Sequence, residues 1–174
     1  LRRSSAASDV YKRQLLERGA CFGEVAGWER ANWFLPADLI SEGNTPESKY
    51  SWGRQNWFDF AAQEHLAVRQ KAGFFDISSF AKFRLEGKDA QAVLQRIMAN
   101  DVDVEPGRVI YGQWLNNSGG IEADLTVTRL TETVFLIVTS AASATRVLAW
   151  LKKNIPEGAH CIATDITGSE AVFS

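Results

Sequence analysis

Apolar residues between positions 80 and 166 switch repeatedly between two periods, and that switching leaves few folds open. Ala90, Val93, Leu94, Ile97 and Met98 fall at i, i+3, i+4, i+7 and i+8, the stripe of an amphipathic helix. Before it, Phe80 to Glu86 alternates apolar and polar with one irregularity, the pattern of a half-buried strand. After it, Val109 to Leu115 reads as a strand. Asn116-Asn117-Ser118-Gly119-Gly120 then supplies residues that tolerate a hairpin turn. Residues 121–130 return as a strand with Leu125, Val127 and Arg129 on one face, and Val134 to Val138 is a continuous apolar run that suits a buried strand. Ala144, Val147, Leu148, Leu151 and Ile155 mark a second helix, stopped by Pro156 and Gly158, and Cys161 to Ile166 starts another strand. The order β-α-β-β-β-α-β predicts an α+β domain. It is a ferredoxin-like split βαβ plan with an extra strand, an antiparallel sheet carrying its helices on one face.

The lead-in is different. Residues 15–58 are rich in Trp, Gly and Arg and hold a near-repeat, W-x-R-x-N-W-F, at Trp28 to Phe34 and again at Trp52 to Phe58. Two copies are too few for a solenoid. The expected physics is local: each Arg stacked on a Trp face, worth about 0.5–2 kcal/mol, with the Phe buried, or a contact with a neighbouring domain. Gly43 and Pro46 place a loop between the copies. Asp59 to Gly73 predicts a helix with Asp59 as its cap and Gly73 beyond its end. Residues 1–14, ending in Asp9-Val10-Tyr11-Lys12-Arg13-Gln14, look like a translated sequencing adapter and are expected to be disordered. The expected division is 1–14 as that artefact, 15–58 as the tail of a preceding middle domain, and 59–174 as the start of the α+β domain. Ala171-Val172-Phe173-Ser174 reads as the inside of a strand, so the domain is expected to be truncated at its C-terminus.

Composition narrows the function. With 174 residues and 45% hydrophobic content, the chain has about one domain with a core. Outside residues 1–14, 15 basic face 20 acidic residues, the wrong balance for a nucleic-acid footprint. No apolar run approaches the ~18 residues that span a bilayer. Cys21 and Cys161 have no metal-ligand spacing and read as reduced, buried thiols. His65 and His160 are too few for a metal cluster, so no metal site is expected.

Few residues suggest chemistry. Asp101 follows Met98-Ala99-Asn100 at the end of a helix. A carboxylate there opposes the helix dipole, and partial burial would add to an upward pKa shift. Costly placements of this kind mark candidate sites, although Asn-Asp is also an ordinary turn. Asp103 reads as a solvated loop acid. Tyr111 reads as a cross-strand aromatic, Leu115 as core and Asn116 as a turn residue. Gly119-Gly120 lacks the G-x-G-x-x-G phosphate pattern and opens no helix. Glu122 and Asp124, two apart on a strand, share a face and are expected to be solvated.

Three blocks carry a resemblance in order and spacing: K-A-G-F-F-D-I-S-S-F-A-K-F (71–83), A-N-D-V (99–102) and Y-G-Q-W-L-N-N-S-G-G-I-E-A-D-L-T-V-T-R (111–129). Together they resemble the folate-binding domain of the glycine-cleavage T-protein family. The branch they look closest to is fused to dimethylglycine and sarcosine dehydrogenases. The resemblance implies tetrahydrofolate as cofactor, Asp101 as the catalytic carboxylate facing the folate nitrogens, and Tyr111, Leu115 and Asn116 as folate-pocket residues. A flat, polar-edged pterin needs apolar walls and edge hydrogen bonds. It also implies an upstream FAD domain that oxidises a methylated glycine to an iminium, and 5,10-methylenetetrahydrofolate as product. Bacterial members would be cytoplasmic and eukaryotic ones mitochondrial; no nucleic-acid or membrane partner is implied. The isolated fragment is expected to be inactive. Ser78-Ser79-Phe80 departs from the Ser-His-Met of stand-alone T-proteins, Ser140 from their Asn, and Ala123 from the first Asp of an Asp-Asp pair. Two alternatives stand beside this reading, a stand-alone aminomethyltransferase and a non-catalytic folate-binding module.

Overall fold

The computed structural model describes residues 6–174, with side chains from Tyr11 onward, and divides into two compact units, 1–74 and 75–174. The first holds helix α1 (Ala6–Glu17), the hairpin β1 (Ala20–Val25) and β2 (Trp28–Phe34), and helices α2 (Ala37–Ser41) and α3 (Phe58–Gln70). The second holds β3 (Ala81–Glu86), α4 (Ala90–Ile97), β4 (Val109–Leu115), β5 (Ile121–Arg129), β6 (Val134–Thr139), α5 (Ala144–Lys153) after one 3-10 turn, and β7 (Ile162–Asp165).

The second unit follows the predicted order. Its strands form one sheet in the order β4-β5-β6-β3-β7, and each neighbouring pair is antiparallel. Phe83, Leu85, Trp114, Leu125, Val127, Phe135 and Ile137 turn to one side and meet Val93, Leu94, Ile97, Val147 and Leu151 of the two helices. The 3.6-residue stripes of α4 and α5 and the period-two strands therefore close on a single core, as their patterns require. Strand β3 is less half-buried than its alternation suggests, because Lys82 is buried on the face away from this core. Its ammonium donates to the Ser78 and Phe80 carbonyls at 2.8 and 3.0 Å. Burial pushes its pKa down, against the pull of Asp76, Glu170 and Asp165. Residues 172–174 run antiparallel to 75–77, joined by the Phe75–Ser174 backbone pair and by Ile77 N–H to the Val172 carbonyl.

The first unit departs from expectation. Helix α1 occupies much of the stretch read as disordered, and Lys12 pairs with Glu29 at 2.7 Å. Residues 1–5 of that stretch lie outside the described residues. The near-repeat is no structural repeat: its first copy is strand β2, its second a turn leading into α3. Arg54 stacks on Phe58, 4.3 Å from the ring centre, not on a Trp, and it also pairs with Asp59. Phe58, expected to be buried, is exposed. Trp33 is the buried aromatic; it stacks on Phe60 and donates its indole N–H to Ser48 Oγ at 2.9 Å. Helix α3 belongs to this unit and starts at Phe58, so Asp59 sits inside its first turn and does not cap it. Of the two free thiols, Cys21 is buried and Cys161 only half-buried. Burial, then the nearby Asp89 carboxylate, raises the Cys161 pKa.

Candidate functional site

Strand β4 is an edge of the five-stranded sheet, and the segment after α4 folds back along it. Met98 forms a bridge with Trp114, Ala99 N–H donates to the Gln113 carbonyl at 2.8 Å, and Asn100 Nδ2 donates to the Tyr111 carbonyl at 3.0 Å. Gly112 permits this approach. A Cβ there would lie 2.8 Å from Met98 Cε, the movable end of a flexible side chain, and 3.3 Å from Asn100 Cβ, a tight contact. Ala99 and Asn100 thereby lie along β4 at Gln113 and Tyr111, and Asp101 follows them in the chain.

Asp101 itself is exposed. Helix α4 ends at Ile97, four residues earlier, and a helix dipole fades beyond its last turn. Neither the partial burial nor the dipole contact expected for this carboxylate is present. Its Oδ1 instead accepts the Asp103 amide at 2.9 Å, and its own amide donates to Asn100 Oδ1 at 2.8 Å. Asp103, expected to be solvated, accepts from the buried Arg129 guanidinium at 3.0 Å. Asp89 precedes α4 but makes no cap bond; its carboxylate accepts the His160 amide at 2.7 Å.

Tyr111 points to the sheet face opposite the helices and is 60% exposed. Its hydroxyl accepts from Gln113 Nε2 at 3.3 Å. The nearby Asp124 carboxylate, paired in register with Gln113 on β5, raises the hydroxyl's pKa. Asp124 is thus a neighbour of the candidate ring that sequence reasoning left as a solvated acid. The cross-strand register beside Tyr111 is the signal that finds it. Leu115 is half-buried at the top of β4, beside a bulge. Asn116 is held in the turn. Its Oδ1 accepts from the Ser118 and Gly120 amides, and its Nδ2 donates to Glu122 at 2.9 Å. The structure therefore brings Asn100, the residue before Asp101, against the Tyr111 backbone, sets Leu115 farther along the same strand, and places the Asn116 side chain in the hairpin turn.

Glu122 joins Asn116 to Arg146 on α5. The Asn116 hydrogen bond, with Arg146 and Lys153 adding to it against partial desolvation, holds its pKa below the ordinary value of 4.5. A depressed folded-state pKa gives stability that is present above the unfolded value and lost as pH falls through the folded one. Glu122→Gln should therefore flatten the loss of stability on acidification below about pH 4.5, measured as the denaturation midpoint against pH. An unchanged slope would remove Glu122 from the acid response.

Each unit also holds a cavity lined by other residues. One of about 370 Å³ is lined by Trp33, Leu39, Lys49, Asn56 and Phe60, the other of about 320 Å³ by Asp89, Arg96, Asn154 and Pro156. Among the described residues there is no cluster of three potential metal ligands and no helix long and apolar enough to cross a membrane.

The family model described as "GCVT N-terminal domain" matches residues 11–174. The chain belongs to this family. GCVT relatives include the 4-methylaminobutanoate oxidase (formaldehyde-forming) of Paenarthrobacter nicotinovorans, 44% identical over 92% of this chain and 19% of that protein. The mitochondrial pyruvate dehydrogenase phosphatase regulatory subunit of Mus musculus is 31% identical over 95% of this chain and 19% of its own length. Mitochondrial dimethylglycine dehydrogenase of Rattus norvegicus is 30% identical over 91% and 18%. The crystal structure of aminomethyltransferase T from Bartonella henselae superposes with a TM-score of 0.69 at 28% identity, over 91% of this chain and 37% of that one. The GCVT fold thus agrees with the α+β expectation, and the chain spans about a fifth of the curated relatives it matches.

Proposed function

We propose that this chain is part of an FAD-dependent dehydrogenase of the dimethylglycine and sarcosine kind, and that it binds tetrahydrofolate and passes a one-carbon unit to it, giving 5,10-methylenetetrahydrofolate. Asp101 is the catalytic carboxylate, and Tyr111, Leu115 and Asn116 meet the folate. The flavin domain lies upstream and supplies the iminium of a methylated glycine. Residues 15–58 are then the tail of the domain between the two, and the setting is bacterial cytoplasm or mitochondrial matrix.

The observation that supports this reading is the fold-back of residues 98–100 along β4, the edge strand that carries the exposed Tyr111, with Asp101 next in the chain. The ring suits a flat heterocycle, with Gln113 donating to its hydroxyl and Leu115 adding an apolar surface on the same strand. Tetrahydrofolate would contribute the nucleophilic nitrogens. Asp101, with one oxygen held by the Asp103 amide, has its other oxygen available to take a proton or face developing positive charge. Closeness of the reactants supplies much of the rate by proximity.

Tetrahydrofolate titration of the full-length protein tests the reading. Tyr111→Ala should weaken binding by up to about tenfold, the worth of a lost aromatic contact of about 0.5–1.5 kcal/mol, and Tyr111→Phe should weaken it much less. Equal affinity in all three proteins would remove Tyr111 from the site. The regulatory-subunit relative supports a second reading, a folate-binding module without turnover.

A further inference from the structure

We infer that Arg129 is a positioning residue for the Asp101 carboxylate, acting through Asp103 and the Val104 carbonyl. The inference rests on the reading of Asp101 as the reacting carboxylate. Arg129 ends β5 with its side chain on the core face, only 5% exposed. One terminal nitrogen donates to Asp103 Oδ1 at 3.0 Å and to the Val104 carbonyl at 2.7 Å. The other donates to Gln91 Oε1 of α4 at 3.0 Å, to Glu132 Oε2 at 3.0 Å and to the Glu132 carbonyl at 3.3 Å. The planar guanidinium lies over the Phe135 ring, 5.6 Å from its centre. The Arg129 backbone holds the far end of the same loop, accepting from Gly107 N–H at 2.6 Å and donating to the Arg108 carbonyl at 3.0 Å.

These bonds converge on the loop that carries Asp101. Within it, Asp103 N–H donates to Asp101 Oδ1 at 2.9 Å, and Val102 N–H donates to Gln95 Oε1 at 3.0 Å. Asp103 is thus gripped twice, its carboxylate by Arg129 and its amide by Asp101. Rotating the Asp101 carboxylate breaks the Asp103 amide bond, and shifting Asp103 breaks the ion pair. An exposed carboxylate on a loop otherwise samples several rotamers. A buried, forked cation with two carbonyls and three side-chain oxygens as partners removes that freedom, which lysine's single ammonium point does less well.

The test uses the 174-residue chain and the full-length protein. In the chain, amide exchange and the Asp101 χ1 couplings are read by NMR for the unaltered sequence, Asp103→Asn and Arg129→Lys. The Asp103 side chain is 65% exposed, so its replacement should leave the fold intact. The expected result is at least about tenfold faster exchange at Val102 and Asp103 and averaged Asp101 couplings in both variants, with the amides of β5 and β6 unchanged; tenfold corresponds to about 1.4 kcal/mol of local opening. Unchanged loop exchange and couplings in Asp103→Asn overturn the inference, as does a loss of protection spread evenly over the sheet in Arg129→Lys. In the full-length protein, Asp103→Asn should lower kcat for folate-dependent transfer while leaving the KM for tetrahydrofolate unaltered. A loosened loop with full turnover upholds the clamp and removes Asp101 from the chemistry.

Discussion

Asp101→Asn in the full-length protein is expected to lower folate-dependent one-carbon transfer by about 10²–10⁴-fold, the range set by a positioned acid–base group. Tetrahydrofolate affinity should be nearly unchanged. The amide keeps the shape of the carboxylate, and its oxygen can still accept the Asp103 amide that Asp101 accepts now. The loop should therefore stay where it is while the charge and the proton acceptor are lost. Rapid-mixing assays with and without tetrahydrofolate, beside a binding titration, separate the two quantities. A fall in affinity with unaltered turnover at saturation would make Asp101 a binding residue. A parent with no transfer activity to lose would support the module that binds folate without turnover. Amine oxidation measured without folate serves as the internal control, since the proposal places that step in the flavin domain.

Trp114→Ala is expected to cost about 3–5 kcal/mol of stability, the usual price of emptying a large aromatic site in a core. Trp114 is fully buried under the hairpin, stacked on Trp150 of α5 with ring centres 5.6 Å apart. It also forms the bridge with Met98, so the cavity would open under the fold-back that carries Asp101. Its indole nitrogen is buried without a hydrogen-bond partner, and an orphaned donor costs about 1–3 kcal/mol. Trp114→Phe removes that donor along with part of the ring, so it should cost less than half as much as the alanine variant. Urea denaturation of both variants checks the pair. Equal losses would mean that the buried N–H is satisfied in solution.

The second unit was legible because its signals are local and periodic. The stripe Ala90, Val93, Leu94, Ile97 marks α4, and the Asn/Gly turn fixes the β4–β5 hairpin within a residue. What the sequence concealed depends on partners far along the chain. Asp89 precedes α4, but its carboxylate accepts the amide of His160, 71 residues away. Arg129 looks like the end of an alternating strand, but it gathers Gln91 and Asp103 from 38 and 26 residues back. Gly112 carries no periodic signal and matters only because residues 98–100 close over it. The W-x-R-x-N-W-F copies misled for the same reason. One copy pairs with β1 and the other does not, and pairing decides between strand and turn. At the candidate site, the approach of Asn100 to Tyr111 needed the fold-back, which spacing alone does not encode.

That fold-back has a consequence for solubility. An uncovered edge strand offers free backbone groups to any other extended chain and is a common start of aggregation. Residues 98–100 bond only part of β4, at Trp114, Gln113 and Tyr111, and Val109 and Tyr111 stand exposed on it. The segment that presents Asp101 is therefore also a guard on the sheet edge. Substitutions that loosen it to gain catalytic reach would leave β4 open to self-association, so activity and colloidal stability should be traded against each other at this one seam.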